Sequence, residues 1–280
     1  MMAPSLWFNA AAGGKHARGQ ITAEKQMTEV TPALAYVTDI RTIPEDAPWT
    51  WLHKGWQDLT AVPLVSLTYG AGIVAAGWLI SGLFWWTDWT YLVLPLAGGF
   101  LLIAPLVAVG LYDTSRRLQA GEPVSLAKAL LAWRRPLQVA IFGLVLLLLH
   151  LAWMRTALLW FVLYFHGGTP PLQYLPLYLL EAQNLPFLVI GTLLGAGFAA
   201  LTFAISVVSL PLLLDRDVDV VTAILASLHA VRRNPKAMAL WAGLIALFTA
   251  VGLATFFFGL GLLFPLVAHA TWHAYRDLVA

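Results

Sequence analysis

Phe264 to Asp277 reads F-P-L-V-A-H-A-T-W-H-A-Y-R-D. The first half is apolar, and the second sets His269, His273 and Arg276 on one helical stripe, because side chains three and four residues apart share a face. A helix that only left a membrane would need no such stripe. The phrase occurs upstream in weaker form as A-P-L-V-A-V-G-L-Y-D-T-S-R-R, Ala104 to Arg117, so the chain repeats itself. An apolar helix running into a polar, charged end, used twice, predicts an all-α polytopic membrane bundle with its polar residues gathered at one surface.

Composition agrees. Of 280 residues, 60% are hydrophobic and only 11% charged, and the mean hydropathy is +0.78; these values belong to a membrane protein rather than to one or two soluble domains. The apolar runs are long enough to cross about 30 Å of hydrocarbon. With no cysteine, thiolate metal sites, iron–sulfur clusters and disulfides are excluded. A net charge of +2 does not predict nucleic-acid binding, and the basic residues flank the apolar runs, where anionic lipid headgroups attract them.

Residues 1–45 carry Gly13-Gly14 and scattered charge without a sustained period, which reads as a disordered tail. Residues 46–280 read as the membrane domain. Trp49, Leu52, Trp56 and Leu59 recur at three and four with Lys54 and Asp58 between them, the pattern of a helix lying in the membrane interface. Pro63 then opens the first span, since proline suits the first helical turn. Six spans are expected, at about 63–86, 89–112, 137–165, 185–214, 237–255 and 259–275, with an aromatic belt of Trp85, Trp86, Trp89 and Tyr91 at the first hairpin. Spans three and four are overlong, and their excess is assigned to the loop His166 to Asn184. A second interfacial helix is expected from Ser125 to Arg135, ahead of Pro136. A third, capped by Asp219, has Val220, Val221, Ile224, Leu225, Leu228 and Val231 as its apolar face. Asn234 is expected to cap the fifth span at Pro235, and a turn at Thr255 to Gly259 separates the last two spans.

Apart from Arg155, every Lys and Arg lies before the first span, after the second or fourth, or at the C-terminus. The positive-inside rule therefore predicts cytoplasmic N- and C-termini. Interfacial helix, proline, odd span, turn, even span recurs at Pro63, Pro136 and Pro235, which reads as three tandem hairpins. Any six-span protein with basic, proline-marked loops would also show this pattern.

His269 and His273 have the spacing of two metal ligands on one helix face, and His150 on the third span, or His229, is available as a further ligand. Two ligands do not complete a site. The competing reading has the pair hydrogen-bonded to a neighbouring span, with Asp277 bonded back to His273. Arg155 falls far enough along the third span to snorkel to the surface. Asp215, Asp217 and Asp219 alternate like the start of a calcium loop but lack its glycine and distal glutamate. No nucleophile elbow, P-loop or dinucleotide fingerprint occurs, so no enzyme activity is expected and no cofactor is required by the sequence.

Four phrases, P-W-T-W-L-H-K-G-W-Q-D-L from Pro48, G-L-Y-D-T-S-R-R-L-Q-A-G-E from Gly110, S-L-H-A-V-R-R-N-P from Ser227 and H-A-T-W-H-A-Y-R-D-L from His269, resemble the recurring motifs of a bacterial family of uncharacterised integral membrane proteins, a domain of unknown function. The resemblance covers about Ile40 to Val279. It implies a six-span protein of the bacterial inner membrane and places Trp51, Gly55, Asp58, Tyr112, Asp113, Arg116, Asn234, His269, Trp272, His273, Tyr275, Arg276 and Asp277 in family motifs. All of these but Gly55, together with Arg117, Arg232 and Arg233, form a candidate cytoplasmic-face patch. Members are sometimes labelled as cytochrome oxidase subunit one, but that core resembles about twelve spans with six ligand histidines, which this chain lacks. The expected function is that of a non-enzymatic accessory or scaffold protein, binding membrane lipid, a membrane-protein partner or a second copy of itself. A small-solute carrier and a metal- or haem-binding factor of a respiratory complex are the alternatives.

Overall fold

A computed structural model describes residues 39–87, 100, 102–132, 136–165 and 181–279. Ten α-helices are named here: α1 Ala47–Ala61, α2 Pro63–Trp86, α3 Val109–Gln119, α4 Leu126–Leu130, α5 Pro136–Phe165, α6 Leu185–Ser206, α7 Ser209–Asp215, α8 Val220–Arg233, α9 Pro235–Ala254 and α10 Leu260–Leu278. Pro63, Pro136 and Pro235 each stand at a helix start, where the missing N–H costs nothing. Among the described residues four helical runs are long and apolar enough to cross a membrane: Pro63–Trp86, Leu137–Phe165, Ala182–Asp215 and Pro235–Ala254. Half of the expected second span, 89–112, lies outside the described residues. α10 is as long as a span, but its polar second half keeps it out of that apolar set.

α10 is the centre of the bundle. It packs on α1, α2, α3, α7 and α9, and every residue from Ala268 to Tyr275 is buried. α1 lies against it through Trp51, Gly55 and Leu59 and leaves Trp49 and Trp56 exposed, so the expected stripe of Trp49, Leu52, Trp56 and Leu59 is not the packed face. Two close approaches fix the packing. A Cβ on Gly55 would lie 2.7 Å from the Ala270 nitrogen, and one on Gly70 of α2 would lie 1.9 Å from the Gly261 carbonyl oxygen. Beyond these contacts α2 buries little, and Leu64, Leu79 and Leu83 face outward, as helices do when hydrocarbon covers them.

Several expectations change. Residues 39–45, expected to be disordered, include the buried Ile40, which forms an antiparallel bridge with Val279; residues 1–38 lie outside the described residues. The fourth apolar run is not one helix. It breaks at Val207 and Val208 into α6 and α7, so its excess lies at the end away from the 166–184 loop. Ser227 holds the break, its hydroxyl accepting from the Val208 N–H at 3.2 Å and donating to the Ala204 carbonyl at 2.7 Å. The helix expected over Ser125 to Arg135 ends at Leu130, with Ser125 accepting the Lys128 N–H as its cap.

α8 starts at Asp219 as expected, with the carboxylate taking the Thr222 N–H at 3.0 Å. Its packed face is different. Val220, Ala223, Ala226, Ser227 and Ala230 are buried, whereas Val221 and Leu225 are exposed. Small side chains let α8 close on α6 and α7, leaving the bulky residues outside. Asn234 does not cap α9 with its side chain. Its Oδ1 accepts the Ile43 N–H at 2.9 Å and its Nδ2 donates to the Arg41 carbonyl at 3.0 Å, tying the 40–43 segment to the α8–α9 junction. The α9–α10 turn falls where expected, with Phe256 and Phe257 at positive φ, a conformation uncommon for bulky residues.

Candidate functional site

His269 lies at the centre of the buried stretch and is fully inaccessible. Its Nε2 meets the Ser66 hydroxyl of α2 at 2.9 Å and its Nδ1 meets the Ser115 hydroxyl of α3 at 2.7 Å. One imidazole thus joins three helices. A neutral ring needs one acceptor and one donor, and serine hydroxyls rotate to supply either.

One turn on, the His273 Nε2 lies 2.8 Å from Asp58 Oδ2 of α1 and its Nδ1 lies 3.2 Å from the Gln119 amide nitrogen of α3. Gln119 also accepts from the Trp272 indole at 3.0 Å. Asp277 does not bond back to His273, as one sequence reading had it. Its carboxylate accepts the Trp51 indole N–H at 2.8 Å and lies 3.4 Å from the Lys54 ammonium. Tyr275 donates to Asp215 Oδ2 at 2.8 Å, and Arg276 approaches the same oxygen at 3.4 Å. Trp51 further meets Trp241 of α9 edge to face at 5.7 Å, a favoured geometry for two indoles.

The upstream echo forms a second, adjoining cluster. Asp113, with no exposed surface, accepts from Arg116 Nε at 2.8 Å and Arg117 Nε at 2.6 Å, and both guanidinium groups also pair with Glu122 at 3.1 Å. The hydrogen bonds that Arg116 donates to Glu122, reinforced by Asp113, raise its pKa above the ordinary value. A buried carboxylate held by two guanidinium groups is the circumstance in which such a charge is tolerated.

The histidine pair is therefore bonded at all four ring nitrogens. His150 of α5 is not brought to it: among the described residues no group of three or more His, Asp or Glu side chains is placed to hold a metal ion. His150 is instead buried with its Nδ1 unpartnered. Most of the candidate patch lies inside the molecule, since Trp51, Tyr112, Asp113, Asn234, His269, Trp272, His273 and Tyr275 are all buried. Arg232, Arg233 and Arg276 are exposed.

Sequence reading identified one half of nearly every bond here. It missed Ser66, Ser115, Gln119 and Glu122 as partners. Ser115, Gln119 and Glu122 lie inside a quoted motif, and the steps of three, four and three residues from Tyr112 through Ser115 and Gln119 to Glu122 were the available signal. Ser66 offered none, because a serine in an apolar run looks like neutral filling.

Long apolar helices packed around a buried, hydrogen-bonded polar helix define an integral membrane protein. Residues 93–215 match the family described as predicted integral membrane protein (DUF2189), an uncharacterised domain of unknown function, consistent with the resemblance carried by the motifs. No curated protein and no solved structure matches the chain.

Proposed function

We propose that the protein is a non-enzymatic accessory or scaffold of the bacterial inner membrane, with six spans and cytoplasmic termini, whose exposed basic rim holds anionic lipid headgroups. In this reading residues 89–112 and 259–275 are spans two and six, and α1, α4 and α8 lie along the cytoplasmic surface. The observation that carries it is the internal pairing of the motif residues. His269, His273, Asp113 and Asp277 bond within the chain, whereas Arg232, Arg233 and Arg276 are among the exposed cations. Arginines at the headgroup level attract anionic lipid at about 1 kcal/mol each. The scaffold reading is favoured over a haem site because each ring nitrogen of the pair already has a partner.

Native mass spectrometry of the full chain, purified in mild detergent with an equimolar mixture of anionic and zwitterionic phospholipid, tests the reading. Anionic lipid is retained preferentially by the parent and several-fold less by Arg232→Ala/Arg233→Ala/Arg276→Ala. Equal retention by the two proteins overturns it.

A further inference from the structure

α8 has three long faces rather than two. Ala223, Ala226, Ser227 and Ala230 are buried, and the helix packs on α6 and α7, whereas Val221 and Leu225 are 66% and 47% exposed and Leu228 is half-buried. Thr222, His229 and Arg233 form a polar strip. At about 100° per residue the three sets lie roughly 120° apart around the helix. A helix at the rim of a soluble bundle divides into a packed and a wetted face. The bulky apolar third face is left without cover from the chain.

Depth in the membrane decides what covers it. Ser227 donates to the Ala204 carbonyl of α6 at 2.7 Å, and Ser209 of α7 donates to the Ala223 carbonyl at 2.9 Å, so α8 lies at the level of the α6–α7 break. Ala204 is roughly 19 residues, or about 28 Å, along α6 from Leu185, and the hydrocarbon is about 30 Å thick. α8 therefore lies at the hydrocarbon edge. Asn234 alone separates its last residue, Arg233, from the apolar run Pro235–Ala254. The order along the exposed row agrees. Val221, Leu225, Leu228 and Arg232 follow one another at steps of four, three and four, which sets aliphatic side chains first and a guanidinium last, matching the acyl chain and phosphate of a phospholipid.

α1 is divided alike. Trp51, Gly55 and Leu59 pack inward, Trp49 and Trp56 are 56% and 46% exposed, and His53, Gln57 and Thr60 make a polar strip. Val62 joins it directly to α2 at Pro63, and indole rings favour the membrane–water interface. We infer that α1 and α8 lie in the plane of the membrane, with Trp49 and Trp56, and Val221, Leu225 and Leu228, set among the acyl chains of the cytoplasmic leaflet. Phospholipid is then held by apolar insertion as well as by charge. The inference rests on the membrane orientation proposed above but not on a preference for anionic headgroups.

The chain has no cysteine, so single cysteines carrying a nitroxide can report each face of the full protein in vesicles of zwitterionic phosphatidylcholine. Val221→Cys, Leu225→Cys and Leu228→Cys read the apolar row of α8, Thr222→Cys and His229→Cys its polar strip, and Trp56→Cys and Gln57→Cys the two faces of α1. Collisions with oxygen, which concentrates in hydrocarbon, are compared with those of a water-soluble nickel chelate. The oxygen-to-nickel ratio is expected to be several-fold higher along the apolar row than on the polar strip, and higher for Trp56→Cys than for Gln57→Cys. Equal ratios on the two faces overturn the inference. So does exclusion of both reagents from the apolar row, which would show that a second copy of the chain covers it. Should one substitution fail to fold, the other positions on α8 decide. Because these vesicles hold no anionic lipid, equal lipid retention by the arginine variant would leave this outcome unchanged, and preferential retention would not supply it.

Discussion

His269 spans three helices with a single ring, so its removal is felt at two serines at once. Truncation to alanine opens a cavity and orphans both the Ser66 and Ser115 hydroxyls, and the two costs together come to about 3 kcal/mol. Thermal unfolding in detergent, followed by tryptophan fluorescence, is expected to show His269→Ala well below the parent and Ser115→Ala between them; equal midpoints would refute the assignment. The histidines were legible as a pair from their four-residue spacing. Their partners were not, because Ser66 is 203 residues away in sequence and periodicity carries no information across such a distance. The same limit explains Asp277, whose bond to Trp51 spans 226 residues, whereas the nearer histidine was the only partner visible along the helix.

Among elements, the crossings of α10 with α1 and α2 depend on bare backbone. α2 carries an internal control. A Cβ on Gly70 would strike the Gly261 carbonyl, while one on Gly72 meets nothing within 4 Å. Gly70→Ala is therefore expected to lower the unfolding midpoint by several degrees and Gly72→Ala to leave it unchanged or raise it slightly, alanine being the better helix former by about 1 kcal/mol. Helix starts were readable because proline marks them locally. The break at Val207 had a mark of the same kind, Pro211, whose missing N–H leaves the Val207 carbonyl without its helical donor, and Ser227 on the following helix takes the freed Val208 N–H. The face of α8 was misjudged for a different reason. Hydrophobicity ranks Val221 and Leu225 above Ala223 and Ala226, yet close packing between helices selects the small residues and leaves the bulky ones outside.

At the scale of the molecule, two distant stretches close on each other. Ile40 bridges Val279, the Arg41 N–H donates to the Leu278 carbonyl at 2.9 Å, and Asn234 holds Arg41 and Ile43 from below. Asn234→Ala removes two of the side-chain bonds that pin this segment. Hydrogen exchange on the full chain should then show faster exchange at residues 40–43, with α5 unchanged; protection equal to the parent's would refute the pinning role. The all-helical membrane fold was evident in composition and run length. This closure was not, because residues 39–45 are polar and irregular and read like the tail before them.

α10 also imposes an order on biogenesis. It leaves the ribosome after every helix it packs against, so until it arrives Trp51 has no acceptor, Asp58 no imidazole, and Ser66 and Ser115 face an empty seat. Until then those polar groups of the earlier helices stay without these partners, a cost in free energy that the docking of α10 recovers. A chain stopped short of His269 would lack all of these partners at once, and a completed one gains them together as α10 docks.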